Sequence, residues 1–358
     1  MKKLIIILIA AAVALTSCTM NFIFKLLKRY EWYASGNAPL LYPTELFYGD
    51  FIFSNGKKLY IPISIPYASK WGQTGKTHIL DNNFFPAPAI IDIIWFSWAE
   101  NQFYSLESTL PKEKIESLLA EIDEETKEPR YQDIIVGMAP YGGLAIWLSG
   151  NGKTTEVAWL QAKPTDVEMK DFAPTVEYTQ KEYRDLVFKG REEAYENFQE
   201  NGLPDRMLFE RYMQKFNYRF TPKFENEEAV FEEIELYYYN GELNTTNSGE
   251  HAENALRAKP SKIVLNWSTG DAQYGGYFWT DEKKIIETFD KFYKDDTQKA
   301  GNLFIEVGAS NEQFKFFLQD DTTTVEIPAE EIEMIVFKNK YEFFRNENYN
   351  RPIGGWKN

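Results

Sequence analysis

A chain of 358 residues that is 44% hydrophobic and 26% charged has room for two ordinary domains, and its composition excludes wholesale disorder. A formal charge of −15 argues against a nucleic-acid surface, which needs clustered Lys and Arg to neutralise phosphates. One Cys and two His exclude an internal disulfide and leave too few ligands for a Cys/His zinc site, so no metal and no cofactor is expected.

Lys2 and Lys3 precede an apolar run over 4–15, shorter than the roughly 20 residues that a bilayer-spanning helix needs. The run has the form of a signal-peptide core. It ends in Leu15-Thr16-Ser17-Cys18, which resembles the lipobox of bacterial lipoproteins. That chemistry requires Cys at this place, because its thiol accepts the diacylglycerol and cleavage leaves it as the first mature residue. The sequence therefore predicts a signal peptide over 1–17, lipidation at Cys18 and a membrane-proximal tether over 18–29. Thr19 in place of Asp, by resemblance to proteobacterial sorting rules, points to the outer membrane. No acidic run follows Cys18, so the periplasmic face is expected.

From Tyr30 the text turns to aromatic and β-branched runs broken by Gly, Pro and Asn. Strands are expected over 45–53 and 58–65, joined at Ser54-Asn55-Gly56, and over 89–98, the last buried on both faces. Pro111 opens a helix whose Ile115, Leu118, Leu119 and Ile122 share one face. Strands follow over 133–138, 144–149 and 154–160, the last two forming a hairpin about Gly150-Asn151-Gly152. Residues 179–214 are rich in Glu, Arg and Lys. Thr179 and Glu182 form a capping box, Gly202 ends a helix and Pro204 opens another.

After Lys215 the earlier order returns. The run 231–239 echoes 45–53, and 261–268 echoes 90–99 with Trp267 against Trp98. Ile285 stands against Ile115, Leu318 against Leu148 and Glu326 against Glu156. A near-constant offset across strand, helix and hairpin predicts a duplication. The expected fold class is α+β: two tandem related modules, each a mainly antiparallel β-sheet with a packed helix, joined by a helical connector. The modules span 30–170 and 216–340, the connector 171–215 and a polar tail 341–358.

The segment from Ile91 through Trp95-Phe96-Ser97-Trp98-Ala99-Glu100, then Phe103-Tyr104 and Leu110-Pro111 before a helix, makes one recognisable pattern. Gly137-Met138-Ala139-Pro140-Tyr141-Gly142-Gly143, running on to Gly150, makes a second. With Tyr42-Pro43 upstream, they resemble the bacterial lipoprotein family called domain of unknown function 2931, over about 31–161. The resemblance implies this fold, a lipid anchor and an envelope location, and assigns no activity. Trp71-Gly72-Gln73-Thr74-Gly75 is a thin version of the family's Gly-rich loop. The second copy has Ala309-Ser310-Asn311-Glu312 in place of the Ala-Pro-Tyr-Gly-Gly turn, so a site built on that turn is expected in the first half alone.

Gly75-Lys76-Thr77 and Gly152-Lys153-Thr154 imitate phosphate loops, but Lys70 and Trp147 stand where the first Gly must be, so both read as turns. His78 and His251 lie in polar loops and read as surface residues. Ser97, His78 and Asp92 make a triad only on paper, without a nucleophile elbow. Asp271, Asp320 and Asp321 lack EF-hand spacing, and Glu124 and Glu125 suit a solvated helix end. The set Trp95, Trp98, Glu100, Tyr104, Tyr141 and Trp147 suits either a Trp-rich core or an aromatic patch for a sugar or a protein. The candidate binding residues are Tyr141, Gly142, Gly143, Trp98, Glu100 and Tyr104, with Tyr141 the exposed tip; no catalytic residue is assigned.

The expected function is a non-enzymatic binding protein, lipid-anchored and facing the periplasm. Its partners are the membrane, through Cys18, and a protein, basic by charge complementarity, with no nucleic acid. An immunity protein neutralising an incoming effector is one concrete version; an envelope hydrolase or a carbohydrate-binding module is the alternative.

Overall fold

The computed structural model describes residues 28–77, 83–124, 126–175, 177–246, 249–270 and 272–339. The expected signal peptide, Cys18, the tether up to residue 27, His78, Glu125, Asp271 and the tail from Tyr341 lie outside the described residues. Among the described residues no helix is long and apolar enough to cross a membrane.

The fold is α+β with strands predominating. In the first half an antiparallel sheet runs in the order Lys163–Thr165, Gln102–Thr109, Ile90–Ser97, Thr44–Ile52, Lys58–Tyr60. The period of two sends Ile91, Ile93 and Trp95 into the core with Phe51 and Trp32. The strand expected over 58–65 stops at Tyr60. Pro62 and Pro66 lack the N–H that a ladder requires. Strand Ile90–Ser97 is fully buried on its core face, whereas Ile90, Asp92 and Ile94 on the other face are only half-buried. That second face closes over at Phe96. The helix begins after Pro111 as Lys112–Leu119 and buries Ile115 and Leu119.

A nine-stranded sheet runs through both halves. Tyr33–Asn37, Asp133–Met138, Gly143–Gly150 and Lys153–Gln161 come from the first, and Leu243–Thr246, Ala229–Tyr238, Pro260–Thr269, Ala272–Thr280 and Ile332–Lys338 from the second. The last sheet orders Ala255–Arg257, Phe216–Phe224, Gly301–Val307, Phe314–Gln319 and Thr324–Ile327. Its core holds Phe216, Tyr218, Trp267 and Phe278 against helix Glu282–Tyr293, which Asp281 caps.

The second half pairs its strands in the order of the first. Each half has one parallel pair, Tyr33–Asn37 with Asp133–Met138 and Phe216–Phe224 with Gly301–Val307. Each places a bulge in the strand beside its central one, between Leu46 and Tyr48 and between Phe231 and Glu233. Leu148 faces Thr155 as Leu318 faces Val325. These registers correct one sequence alignment. Trp267 is bracketed by its bulge and by Tyr274 as Trp95 is by its bulge and Tyr104, so in strand register Trp267 takes the position of Trp95 rather than that of Trp98. The shift arises at the next turn, which takes residues 98–101 in the first half and only 270–271 in the second.

The connector forms four short helices, Met169–Phe172, Gln180–Lys189, Glu192–Asn201 and Leu208–Met213, with the Thr179/Glu182 capping box in place. The first three of these segments pack Phe172, Tyr183, Phe188 and Phe198 into one cluster with Phe96, Trp98 and Phe103. The halves meet directly elsewhere. Lys153 and Thr154 pair with Asn244 and Leu243, and the Trp147 indole N–H donates to the Asn240 carbonyl at 2.9 Å. Gly72 and Gly241, both at positive φ, bring two backbones together, and a Cβ on Gly241 would stand 2.8 Å from the Gly72 Cα. Lys215 bridges Glu156 (3.3 Å) and Glu242 (2.8 Å) beside this contact. Burial opposes its charge, but the two carboxylates outweigh burial and hold its pKa above the ordinary value.

Gly241→Val should cost about 2–4 kcal/mol in urea unfolding, because it adds a clash and a forbidden φ together. Lys259 supplies a second test. It is fully buried, its Nζ donates to the Arg211 carbonyl at 2.9 Å, and burial pushes its pKa down to about 8. Between that value and the unfolded value of 10.5, the unfolded chain holds the extra proton, so stability rises with pH across this window. Lys259→Met should abolish this rise, on the order of 3 kcal/mol, when unfolding is compared from neutral to alkaline pH.

Candidate functional site

Most of the residues singled out from the sequence converge at one turn. Pro140–Gly142 links strands Asp133–Met138 and Gly143–Gly150, with Tyr141 at φ 62. The Glu100 carboxylate, on the turn of the facing sheet, accepts three hydrogen bonds. They come from Ser97 Oγ at 2.8 Å, Tyr104 OH at 2.6 Å and the Tyr141 backbone N–H at 3.0 Å. Burial, and then the hydrogen bond to Glu100 and its charge, raises the Tyr104 pKa, so its phenol stays a donor.

The glycines follow from this closeness. A Cβ on Gly142, at φ 76, would stand 2.8 Å from the Tyr104 ring, and one on Gly143 would collide with the Trp159 ring. Tyr141 is half-buried rather than an open tip. Its hydroxyl donates to the Pro204 carbonyl at 2.9 Å, its carbonyl accepts from Gln161, and Arg206 lies 5.8 Å from its ring centre. The turn is thereby tied to the connector.

Trp98 does not join this network. It is 2% exposed and packs on Phe188 at 6.2 Å between ring centres, because the helices of the connector cover its strand. Trp95 and Trp147 are also buried, so these indoles build core rather than a surface patch. Three committed donors, two on one oxygen and one on the other, make Glu100 a clamp on the turn.

The remaining candidates separate. Ser97 donates to Glu100, whereas Asp92 accepts from Tyr48 at 3.1 Å. His251 is buried, not at the surface. It packs on Phe231 at 4.8 Å, and burial lowers its pKa, with Arg257 adding to the shift. Asp320 ties its own turn, accepting from Thr322 and Thr323 and pairing with Lys299, which holds its carboxyl well below the usual range. Among the described residues no group of three or more His, Cys, Asp or Glu side chains is placed to hold a metal ion.

One arrangement escaped the sequence reading. On the outer face of the second half's sheet, Tyr237 pairs with Lys262 and Lys262 with Trp279, so three strands place these side chains in one row. Tyr277 lies in the next row, opposite Val264 and Ile335. The Tyr277 and Trp279 rings are nearly parallel, 6.1 Å apart at 20°. Lys262 and Lys70 stand 3.9 and 4.1 Å from the Tyr237 ring centre. Burial lowers the pKa of both lysines; the Lys262 charge lowers that of Lys70 further. The signal was Tyr277 and Trp279 two apart in a strand, masked by Tyr274-Gly275-Gly276, which resembles a turn.

The family model described as "Protein of unknown function (DUF2931)" matches residues 17–205, more than half of the chain, and the chain belongs to this family. The matched stretch contains the Glu100 clamp and the first three connector helices, and it ends before strand Phe216–Phe224. No curated protein and no solved structure matches the chain.

Glu100→Ala strips the acceptor from three donors, all on buried or half-buried residues. It should cost about 2 kcal/mol in urea unfolding and speed amide exchange at Tyr141, read by mass spectrometry.

Proposed function

We propose that this protein is a lipid-anchored envelope protein, held through Cys18 on the periplasmic face of the outer membrane, that binds a ligand rather than transforming it. Its described part would be two related α+β units, over 30–170 and 216–340, with the connector 171–215 between them. The shared order of pairings, the matching bulges and the paired Trp95–Tyr104 and Trp267–Tyr274 contacts support the reading of two copies.

The observation that carries the binding function is the outer sheet face of the second unit. In the first unit the roof of Phe172, Tyr183 and Phe188 covers the Phe96–Phe103 end of the corresponding face, and the other end carries Ile90, Asp92, Glu107 and Thr109 without that roof. In the second unit the face presents Tyr237, Lys262, Tyr277 and Trp279, half-buried and in register. Aromatic and cationic side chains held rigid on a sheet are the kind that dominate binding energies. A protein partner fits this face best, and an effector-neutralising immunity protein is the concrete version; a basic effector, expected from the acidic chain, would meet carboxylates outside this lysine-bearing row. The parallel Tyr277 and Trp279 rings favour a second reading, a carbohydrate, since sugar rings stack on such faces. The Glu100 clamp, with its donors already engaged, does not favour a hydrolase.

Affinity capture from envelope extract, comparing the mature chain with Tyr277→Ala/Trp279→Ala, should show at least a roughly tenfold loss of the captured ligand. Undiminished capture would remove this face from the function. Palmitate labelling should be abolished by Cys18→Ser; label retained without Cys18, or never present with it, would end the anchor reading.

A further inference from the structure

The corner where the described chain begins has an unusual surface. Pro62 and Pro66 bracket Ile63 and Ile65, which are 51% and 63% exposed; Ile65 is the most exposed large apolar side chain among the described residues. Phe84, 51% exposed, lies at the same corner, because Leu59, Tyr60 and Pro62 line one cleft with Asn83 and Phe85. Arg29 donates from Nη1 to the Phe84 carbonyl at 3.3 Å, so the segment leading back to Cys18 leaves beside this surface. Ten residues, eleven chain steps, separate Cys18 from Arg29. They span at most about 40 Å extended, and about 17 Å as a helix. Lys25, Lys28 and Arg29 add positive charge on this path.

We propose that the loop 62–66, with Phe84, is a membrane-contact surface that sets Ile63 and Ile65 into the headgroup layer of the leaflet holding Cys18. The tether supplies the argument for a bilayer as occupant: it is short, basic at its end, and emerges at this corner. Two apolar side chains add area-dependent binding to the electrostatic attraction of Lys25, Lys28 and Arg29 for anionic headgroups. The orientation rests on the lipid-anchor reading.

The test uses the chain from residue 18 onward with Cys18→Ser, and vesicles of phosphatidylethanolamine with a minority of phosphatidylglycerol. Ile63→Asp/Ile65→Asp should lower the vesicle-bound fraction roughly tenfold, whereas Val230→Asp, at an exposed apolar site in the other half, should not. Thermal melts establish that each variant is folded. A polarity-sensitive fluorophore at Ser64→Cys should shift to the blue on vesicles, and one at Glu200→Cys should not. Equal binding by the double variant, or an unshifted Ser64→Cys label on bound protein, would overturn the proposal. So would a blue shift that follows self-association in sedimentation rather than vesicles. Palmitate labelling of the unaltered chain fails or succeeds independently: loop-dependent binding without label would remove the anchor and keep the contact surface.

Discussion

The Trp147 indole reaches across from the first half of the chain to the carbonyl of Asn240 in the second, inside a buried pocket that Trp71 closes edge-on. Around this bond the sheet itself is weak. Among the described residues only two residue pairs, Lys153 with Asn244 and Thr154 with Leu243, join the strands of the two halves. Two pairs cannot hold two large cores in register by backbone bonds alone, since each contributes about 1 kcal/mol net. The seam depends on what is packed beside them. Gly72 and Gly241 let two loops touch, and Asn240 donates to both Glu156 and Glu242 while Lys215 neutralises them. Lys215 opens the strand-rich second half, so the connector is pinned to the seam at its far end. The nine-stranded sheet is therefore a consequence of side-chain contacts around one buried indole.

That dependence explains what the sequence could and could not reveal. Local signals were legible: the Thr179/Glu182 box, the helix after Pro111 and the hairpin about Asn151 all rest on neighbours within four residues. The Glu100–Tyr141 convergence was legible as a set of residues but not as a clamp, because the bond spans 41 positions. Strands Gln102–Thr109 and Ala272–Thr280 were not assigned. In the first, Ser105, Glu107 and Thr109 make one face polar; in the second, two glycines interrupt the pattern. The Trp267 alignment slipped because a constant offset ignores a turn that is two residues shorter. Strand register corrects it, since the bulge and the facing Tyr are fixed by hydrogen bonding rather than by spacing.

The shorter turn has a structural cost that the second half meets differently. Without residues matching Trp98 and Glu100, the turn after Gly301–Val307 has no carboxylate to hold it. Asn311, at φ 60 like Tyr141 at φ 62, instead accepts from the Trp267 indole at 2.9 Å. Both halves thus tie a left-handed turn to the opposite sheet, one through a surface-proximal carboxylate and one through a buried amide. The first solution leaves the Trp98 side to be covered from outside, which the connector does with Phe188. The second completes the tie within the core and asks nothing of the outer face.

This difference accounts for the asymmetry of the two outer faces. In the first half, Phe96 and Phe103 stack at 4.6 Å, and Phe172 and Tyr183 close over them. Large apolar rings in that position require a roof, because exposing them would forfeit about 25 cal/mol for each Å². In the second half Ser268 and Gln273 pair one step beyond Trp267 and Tyr274, as Phe96 and Phe103 do beyond Trp95 and Tyr104, and the other end of the face is built from amphipathic side chains. Tyr237 donates its hydroxyl to Glu235 at 2.8 Å while lysines lie against its ring, so the row tolerates water without a roof. A face that is stable in water yet offers ordered rings loses little entropy on meeting a ligand. Side-chain chemistry on alternate residues of three strands therefore decides where the chain covers a sheet face: the Phe96 end in the first half is roofed, and the Lys262 row in the second is not.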